Sequence, residues 1–110
     1  MNLYDYTPPK AGESFSTLLE NKKVKILRIV SSDTPDETLY DQEEDEWVVL
    51  LEGSATLELE GRHIEMSRGD TLFIPARTPH RVLHTEAGSL WIAVHILCDD
   101  SGSDGKRESL

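Results

Sequence analysis

The chain has 110 residues, close to the commonest size of one domain and enough for a single hydrophobic core. Its 21 Asp and Glu residues outnumber 11 Lys and Arg residues, and the formal charge of -10 makes nucleic acid and anionic membrane surfaces poor candidate partners. The single cysteine, Cys98, excludes an internal disulfide and a cysteine-based zinc cluster within one chain.

The two ends of the chain are predicted to flank one folded domain. Residues 1–23 begin with no basic segment followed by an apolar run, so no signal peptide is indicated, and we expect an extended arm with a short helical turn or strand at 16–20. Since no apolar stretch reaches the ~18–20 residues of a membrane helix, we expect a cytoplasmic protein. Residues 99–110 are polar and contain Gly and Ser, which predicts a flexible tail.

Residues 24–98 read as short strands separated by turns, with no helix of normal length. Gly-bearing turns separate strands at a spacing of about 8–12 residues, which is typical of a β-sandwich or barrel. The residues 56–60 and 63–66 alternate between apolar and polar side chains and predict a hairpin. The full set of predicted strands is 24–30, 46–51, 56–60, 63–66, 71–74, 81–84 and 89–97.

The strand at 46–51 has apolar side chains on both faces. Trp47, Val49 and Leu51 share the face that would point away from the barrel, which predicts a cover from a second sheet layer or a partner subunit. We therefore expect a homodimer. Trp47 and Trp91 are interpreted as core or subunit-interface residues.

The order of these segments resembles the cupin superfamily, the small jelly-roll barrels. The family's first motif has a His-x-His pair, then a Glu, and a Gly after six further residues. Glu46 and Gly53 match the second half of this motif, and Tyr40 and Gln42 stand where the two His residues would be.

The family's second motif is matched by Gly69, Pro75 and His80, with Arg77 in place of a Gly and His84 in place of an Asn. The resemblance covers roughly residues 24–97. It implies an all-β, single-domain jelly-roll β-barrel that takes a small-molecule ligand, and family members with intact motifs bind iron, manganese, nickel or zinc.

A candidate site follows from strand alternation. Tyr40, Gln42 and Glu46 share one strand face, across from His80 in the resembled barrel, and these four residues are the predicted ligand pocket. His84 points to the interior as well if its strand is regular. The predicted metal ligands are therefore Gln42, Glu46, His80 and His84, a set of oxygen and nitrogen donors suited to a borderline divalent ion.

A metal-free reading of the same residues is equally open, since Glu46 and His80 can form a buried ion pair without an ion. The acidic residues 43–45 are interpreted as a solvated turn whose charges would raise the pKa of Glu46. Tyr40 is interpreted mainly as a rim residue. The remaining candidates are interpreted as having no role in the site: His63 lies on the surface, His95 lies in the core or rim, and Cys98 is unreactive.

Three functional hypotheses follow from this reading. The first is a metal-dependent enzyme, of the dioxygenase, isomerase or lyase type that the resemblance implies. The second is a metal-free module that binds or senses a small ligand. The third is a non-catalytic dimeric scaffold, which the apolar outer strand face favours.

Overall fold

Eight antiparallel strands form the fold in this computed structural model, which describes residues 1–36 and 38–97. No helix occurs among those residues, and the predicted flexible tail and Cys98 lie outside them. The strands are β1 Glu13–Glu20, β2 Val24–Ser31, β3 Asp45–Glu52, β4 Ser54–Leu59, β5 Arg62–Ser67, β6 Thr71–Ile74, β7 His80–Thr85 and β8 Ser89–Ile96. None of the described segments is a helix long and apolar enough to cross a membrane.

The strands are arranged in two sheets with the core between them. The larger sheet has the order β1-β2-β8-β3-β6, and the smaller sheet has the order β5-β4-β7. Alternation along β3 turns Val48 and Leu50 inward, where they pack with Leu57 and Met66 of the smaller sheet and with Trp91. This all-β, jelly-roll-like architecture confirms the predicted fold class.

Strand β1 lies inside the segment predicted to be an arm. It pairs with β2 from Glu13 opposite Ser31 to Glu20 opposite Lys25, so it forms an edge of the larger sheet. Ahead of β1, the Tyr6 hydroxyl donates to the carbonyl of Gly88 at 2.9 Å. The barrel therefore begins at Glu13, ahead of the predicted boundary at residue 24.

Gly53 connects β3 to β4 at a position that requires glycine. Its φ of +94° lies in the left-handed region, and a Cβ there would stand 2.8 Å from the Cα of Ser89. The glycine that completes the first motif thus lets the end of β3 pass close to the start of β8.

The outer face of the larger sheet carries an apolar row that crosses all five strands. Pairing aligns one residue from each strand, in the order Leu19, Ile26, Val94, Trp47 and Phe73. Trp47 is 39% exposed and Phe73 is 48% exposed, so the described residues leave the predicted outer face partly uncovered. The homodimer stays a prediction.

Candidate functional site

A cavity of about 140 Å³ lies inside the barrel, with a wall that is mostly hydrocarbon. The polar groups come from both sheets and from the segment before β3. The apolar residues of the wall are Phe15, Leu27, Ile29, Val48, Leu57, Ile74, Val82 and Trp91, and the polar residues are Glu13, Ser31, Tyr40, Gln42, Glu46, His80 and His95.

Glu46 is a buried carboxylate near the start of β3, on the strand face that also carries Val48 and Leu50. Its side chain receives a hydrogen bond from the Gln42 amide, with Nε2 2.9 Å from Oε1. The same Oε1 lies 3.7 Å from Nε2 of His80, and Oε2 lies 3.5 Å from Nε2 of His95. The carboxylate therefore sits between two imidazoles, and Glu46 itself is only 8% exposed.

His80 is fixed in orientation by its own loop. Its Nδ1 lies 2.7 Å from the carbonyl oxygen of Thr78, which can only accept a hydrogen bond, so Nδ1 carries the proton. Nε2 then faces Glu46. Backbone hydrogen bonds of 2.7 and 3.0 Å join Tyr40 to His80, and the two rings stack with centroids 5.7 Å apart. The predicted pocket residues Tyr40, Gln42, Glu46 and His80 thus all line the cavity.

His95 reaches the site through strand pairing. In the register of β3 and β8, Glu46 lies directly opposite His95, so both side chains point to the same side of the sheet. The sequence predicts His95 in the core or rim, without this contact. Its spacing from Trp91 and Ala93, four and two residues away, was the available signal, because those residues of β8 share one face.

Glu46 and His95 each shift the pKa of the other in the direction that favours the charged form. Burial by itself would raise the pKa of Glu46, but the interactions with His95, Gln42 and His80 together lower it. The interaction with Glu46 raises the pKa of His95 against the effect of burial, and Glu44 adds to the rise. The prediction that neighbouring carboxylates raise the pKa of Glu46 is therefore wrong, since the imidazoles dominate.

Asp45 is also placed differently from the sequence prediction. It is 2% exposed rather than part of a solvated turn, and its Oδ1 accepts a hydrogen bond from the backbone N–H of Ala76 at 2.8 Å. This contact ties the start of β3 to the loop that follows β6. Asp45 therefore supports the segment that leads to His80 rather than the cavity itself.

His84 does not join the site. The register between β4 and β7 shifts between Thr56 and Leu57, so that Val82 lines the cavity while His84 is exposed and Thr85 is buried. Such an irregularity reverses the face on which the following residues point. The prediction that His84 faces the interior depends on a regular strand and is wrong for that reason.

The side chains near Glu46 have the donor types of a metal centre but not its arrangement. No group of three or more His, Cys, Asp or Glu among the described residues is placed to hold an ion. The two imidazoles contact different oxygens of Glu46, and Gln42 turns its N–H donor toward the carboxylate, although a glutamine amide binds a metal through its oxygen. The donor types suit a borderline ion, but their arrangement does not fit one.

The amino-acid sequence matches the cupin domain family over residues 31–95. This match covers more than half of the chain, so the protein belongs to the cupin family. Over 91 residues it is 33% identical to sulfate adenylyltransferase subunit 1 of Shewanella woodyi. Those residues make up 83% of this chain but only 17% of that protein. The chain therefore spans less than a fifth of the length of this relative.

Solved structures share the fold. A proposed mannose-6-phosphate isomerase from Ralstonia eutropha JMP134 is 40% identical, with a TM-score of 0.78 over 88% of this chain and 96% of that chain. The iron(II) form of HppE is 19% identical, with a TM-score of 0.69 over 77% of this chain and 50% of that chain. At that identity the second likeness concerns the fold alone.

Proposed function

We propose that this cupin binds a small carbonyl compound in its cavity and transfers protons at the carbon next to the carbonyl. The observation that carries the proposal is the buried Glu46 carboxylate held between His80 and His95 in the wall of a largely apolar cavity. Pairs of titratable groups in different protonation states are the usual basis of acid–base catalysis.

The two imidazoles have different roles in this proposal. His80 donates its Nδ1–H to Thr78, so in the neutral ring Nε2 is the nitrogen that can act as a base. The interaction with Glu46 raises the pKa of His95, which favours the protonated ring and so the role of an acid. Each nitrogen belongs to a residue of the cavity wall, which gives a bound ligand access to a base and an acid.

The proposed step conserves protons and electrons. His80 takes a proton from the carbon next to the carbonyl, the C–H electron pair moves into a C=C bond, and the C=O electron pair moves to oxygen. His95 gives a proton to that oxygen, which produces a neutral enol. Return of a proton to carbon and loss of the O–H proton restore both imidazoles. The name of the Ralstonia protein, an isomerase, is consistent with this class of reaction.

Cyclopentanone is a suitable test compound because of its size and its apolar ring. A cavity of about 150 Å³ holds a benzene molecule, so a six-atom ketone suits a cavity of about 140 Å³. We expect the protein to speed deuterium exchange at the carbons beside the carbonyl in D₂O, measured by proton NMR. His80→Gln should slow this exchange by about 100-fold.

His84→Gln is the matched control, since it makes the same chemical change on an exposed histidine. Deuterium exchange of cyclopentanone in the presence of this variant should proceed at the wild-type rate. Equal rates in His80→Gln and the wild type would contradict the proposal. Binding of cyclopentanone without exchange would favour the metal-free binding module instead.

The metal-dependent enzyme is the second candidate, and the types of donor at Glu46, His80 and His95 favour it although their arrangement does not. The iron(II) form of HppE has the same fold. Our proposal uses no metal ion, so we expect EDTA to leave the exchange rate unchanged. Loss of exchange with EDTA and recovery with a divalent ion would establish the metal-dependent alternative.

A further inference from the structure

Apart from the two imidazoles, the charged groups of the cavity wall are all carboxylates. Glu13 and Glu46 are both part of the wall, and none of its described residues is Lys or Arg. A carboxylate or phosphate ligand would therefore find no Lys or Arg to pair with it, and the imidazole of His95 already contacts Glu46, whereas a cationic ligand would find two carboxylates.

Glu13 differs from Glu46 because one of its oxygens has no partner among the described residues. The carboxylate interacts with the backbone N–H of Asp36 and with the hydroxyl of Ser31. Its Oε2 is buried and accepts no hydrogen bond from the described residues. A buried acceptor without a donor is costly, and a ligand that donates a hydrogen bond there would remove this cost.

The residues around Glu13 hold it in place at the wall. Ser31 lies opposite Glu13 in the pairing of β1 and β2, and its hydroxyl accepts a hydrogen bond from Nε1 of Trp91 at 3.0 Å. That bond leaves the Ser31 proton free for Glu13. Tyr40 lies near both carboxylates of the wall. Burial raises the pKa of Tyr40, and the charges of Glu13 and Glu46 raise it further.

We infer that Glu13 is a ligand-binding residue and that the cavity selects small molecules with an ammonium group over carboxylates and phosphates. This inference rests on the proposed function, in that it requires small molecules to bind in this cavity. The apolar wall takes the hydrocarbon part of the ligand, and the ammonium group pairs with the carboxylate of Glu13, whose buried Oε2 turns toward the cavity to accept its hydrogen bond. The same reasoning argues against a sugar phosphate, which has about 16 non-hydrogen atoms, compared with the six of benzene in a cavity of similar size.

Three compounds with the same ring separate charge from size: cyclopentylamine, cyclopentanol and cyclopentanecarboxylate. Titrations followed by the amide signals of Ile29 and Ser31 would give a dissociation constant for each. We expect cyclopentylamine to bind at least tenfold more tightly than cyclopentanecarboxylate. Glu13→Gln should weaken cyclopentylamine about tenfold and leave cyclopentanol within about twofold, because only the ammonium group uses the charge.

Glu20→Gln is the control, since it removes one negative charge from an exposed position on the same strand. It should leave all three dissociation constants unchanged. Retained cyclopentanol binding in Glu13→Gln shows that the variant is folded. The affinity for cyclopentylamine should also rise with pH as Glu13 loses its proton, and Glu13→Gln should reduce that dependence to the part that Glu46 and His95 contribute.

The outcomes distinguish this inference from the proposed function. Cyclopentanol binding with no preference for the amine, or a preference that Glu13→Gln leaves intact, would overturn the inference alone. Absence of binding by all three compounds would overturn both. Tighter binding of cyclopentanecarboxylate than of cyclopentylamine would show that the two imidazoles, rather than Glu13, determine the charge preference.

Discussion

Glu46 and Glu13 are two carboxylates in the wall of one cavity, and their surroundings shift their pKa values in opposite directions. Glu46 is the more deeply buried, yet its interactions with His95, Gln42 and His80 outweigh burial and lower its pKa. Burial raises the pKa of Glu13, because its contacts with Asp36 and Ser31 compensate only in part. The partners of a carboxylate, rather than its depth, decide whether it keeps its charge.

The largest effect is expected from Glu46→Gln, which removes the charge that the two imidazoles and Gln42 face. We expect a loss of about 2–3 kcal/mol in the free energy of unfolding near neutral pH, measured by urea denaturation. Glu58→Gln is the control, because its ion pair with Arg81 is partly exposed and worth about 0.5 kcal/mol. Equal losses in the two variants would show that the partners of Glu46 add nothing to the free energy of unfolding.

The pH dependence of stability sharpens the same comparison. Glu46 has a lowered pKa, so its contribution is present above its unfolded value of 4.5 and is lost as the pH falls through the folded value. His95 has a raised pKa, so its contribution is present below 6.5 and is lost as the pH rises through the folded value.

The two contributions are therefore both complete only between pH 4.5 and 6.5. Urea denaturation at a series of pH values should show a stability maximum there that Glu46→Gln flattens. NMR titration of His95 should give a raised pKa that returns toward 6.5 in that variant. A His95 pKa that is the same in both proteins would contradict the pairing.

Glu13→Gln should have a smaller effect and the opposite sign. Since the pKa of Glu13 is raised, its contribution to stability is present below the unfolded value of 4.5 and is lost as the pH rises through the folded value. The neutral Gln avoids that loss, so we expect a gain of less than about 1 kcal/mol at neutral pH and none in acid. Destabilisation at neutral pH would mean that Glu13 has partners in the fold that its contacts do not reveal.

The smallest effect on the cavity is expected on the other side of β3, where Trp47 is 39% exposed next to the buried Glu46. Trp47→Ser should leave ligand binding in the cavity unchanged and lower the free energy of unfolding by about 1 kcal/mol, because the side chain is partly covered in the monomer. The predicted homodimer requires that the wild type sediments as a dimer and that Trp47→Ser weakens it. A wild type that sediments as a monomer at high concentration would contradict the prediction.

The sequence by itself determined the strands from β2 onward, and its resemblance to the cupins implied the barrel and one side of the site. Alternation in β3 identifies Glu46 as an inward carboxylate because it depends only on local spacing, whereas the resemblance of the second motif implies the place of His80. Residues that are close along one strand keep their relative direction whatever the rest of the fold does.

The tertiary structure alone decided which distant residues meet at the cavity. His95 faces Glu46 through the register of β3 with β8, and Glu13 reaches the wall because β1 pairs with β2. An irregularity opposite β4 turns His84 outward. Register and bulges are set by the packing of strands against each other, and a shift of one residue exchanges the two faces of a strand, so spacing along the chain could not fix them.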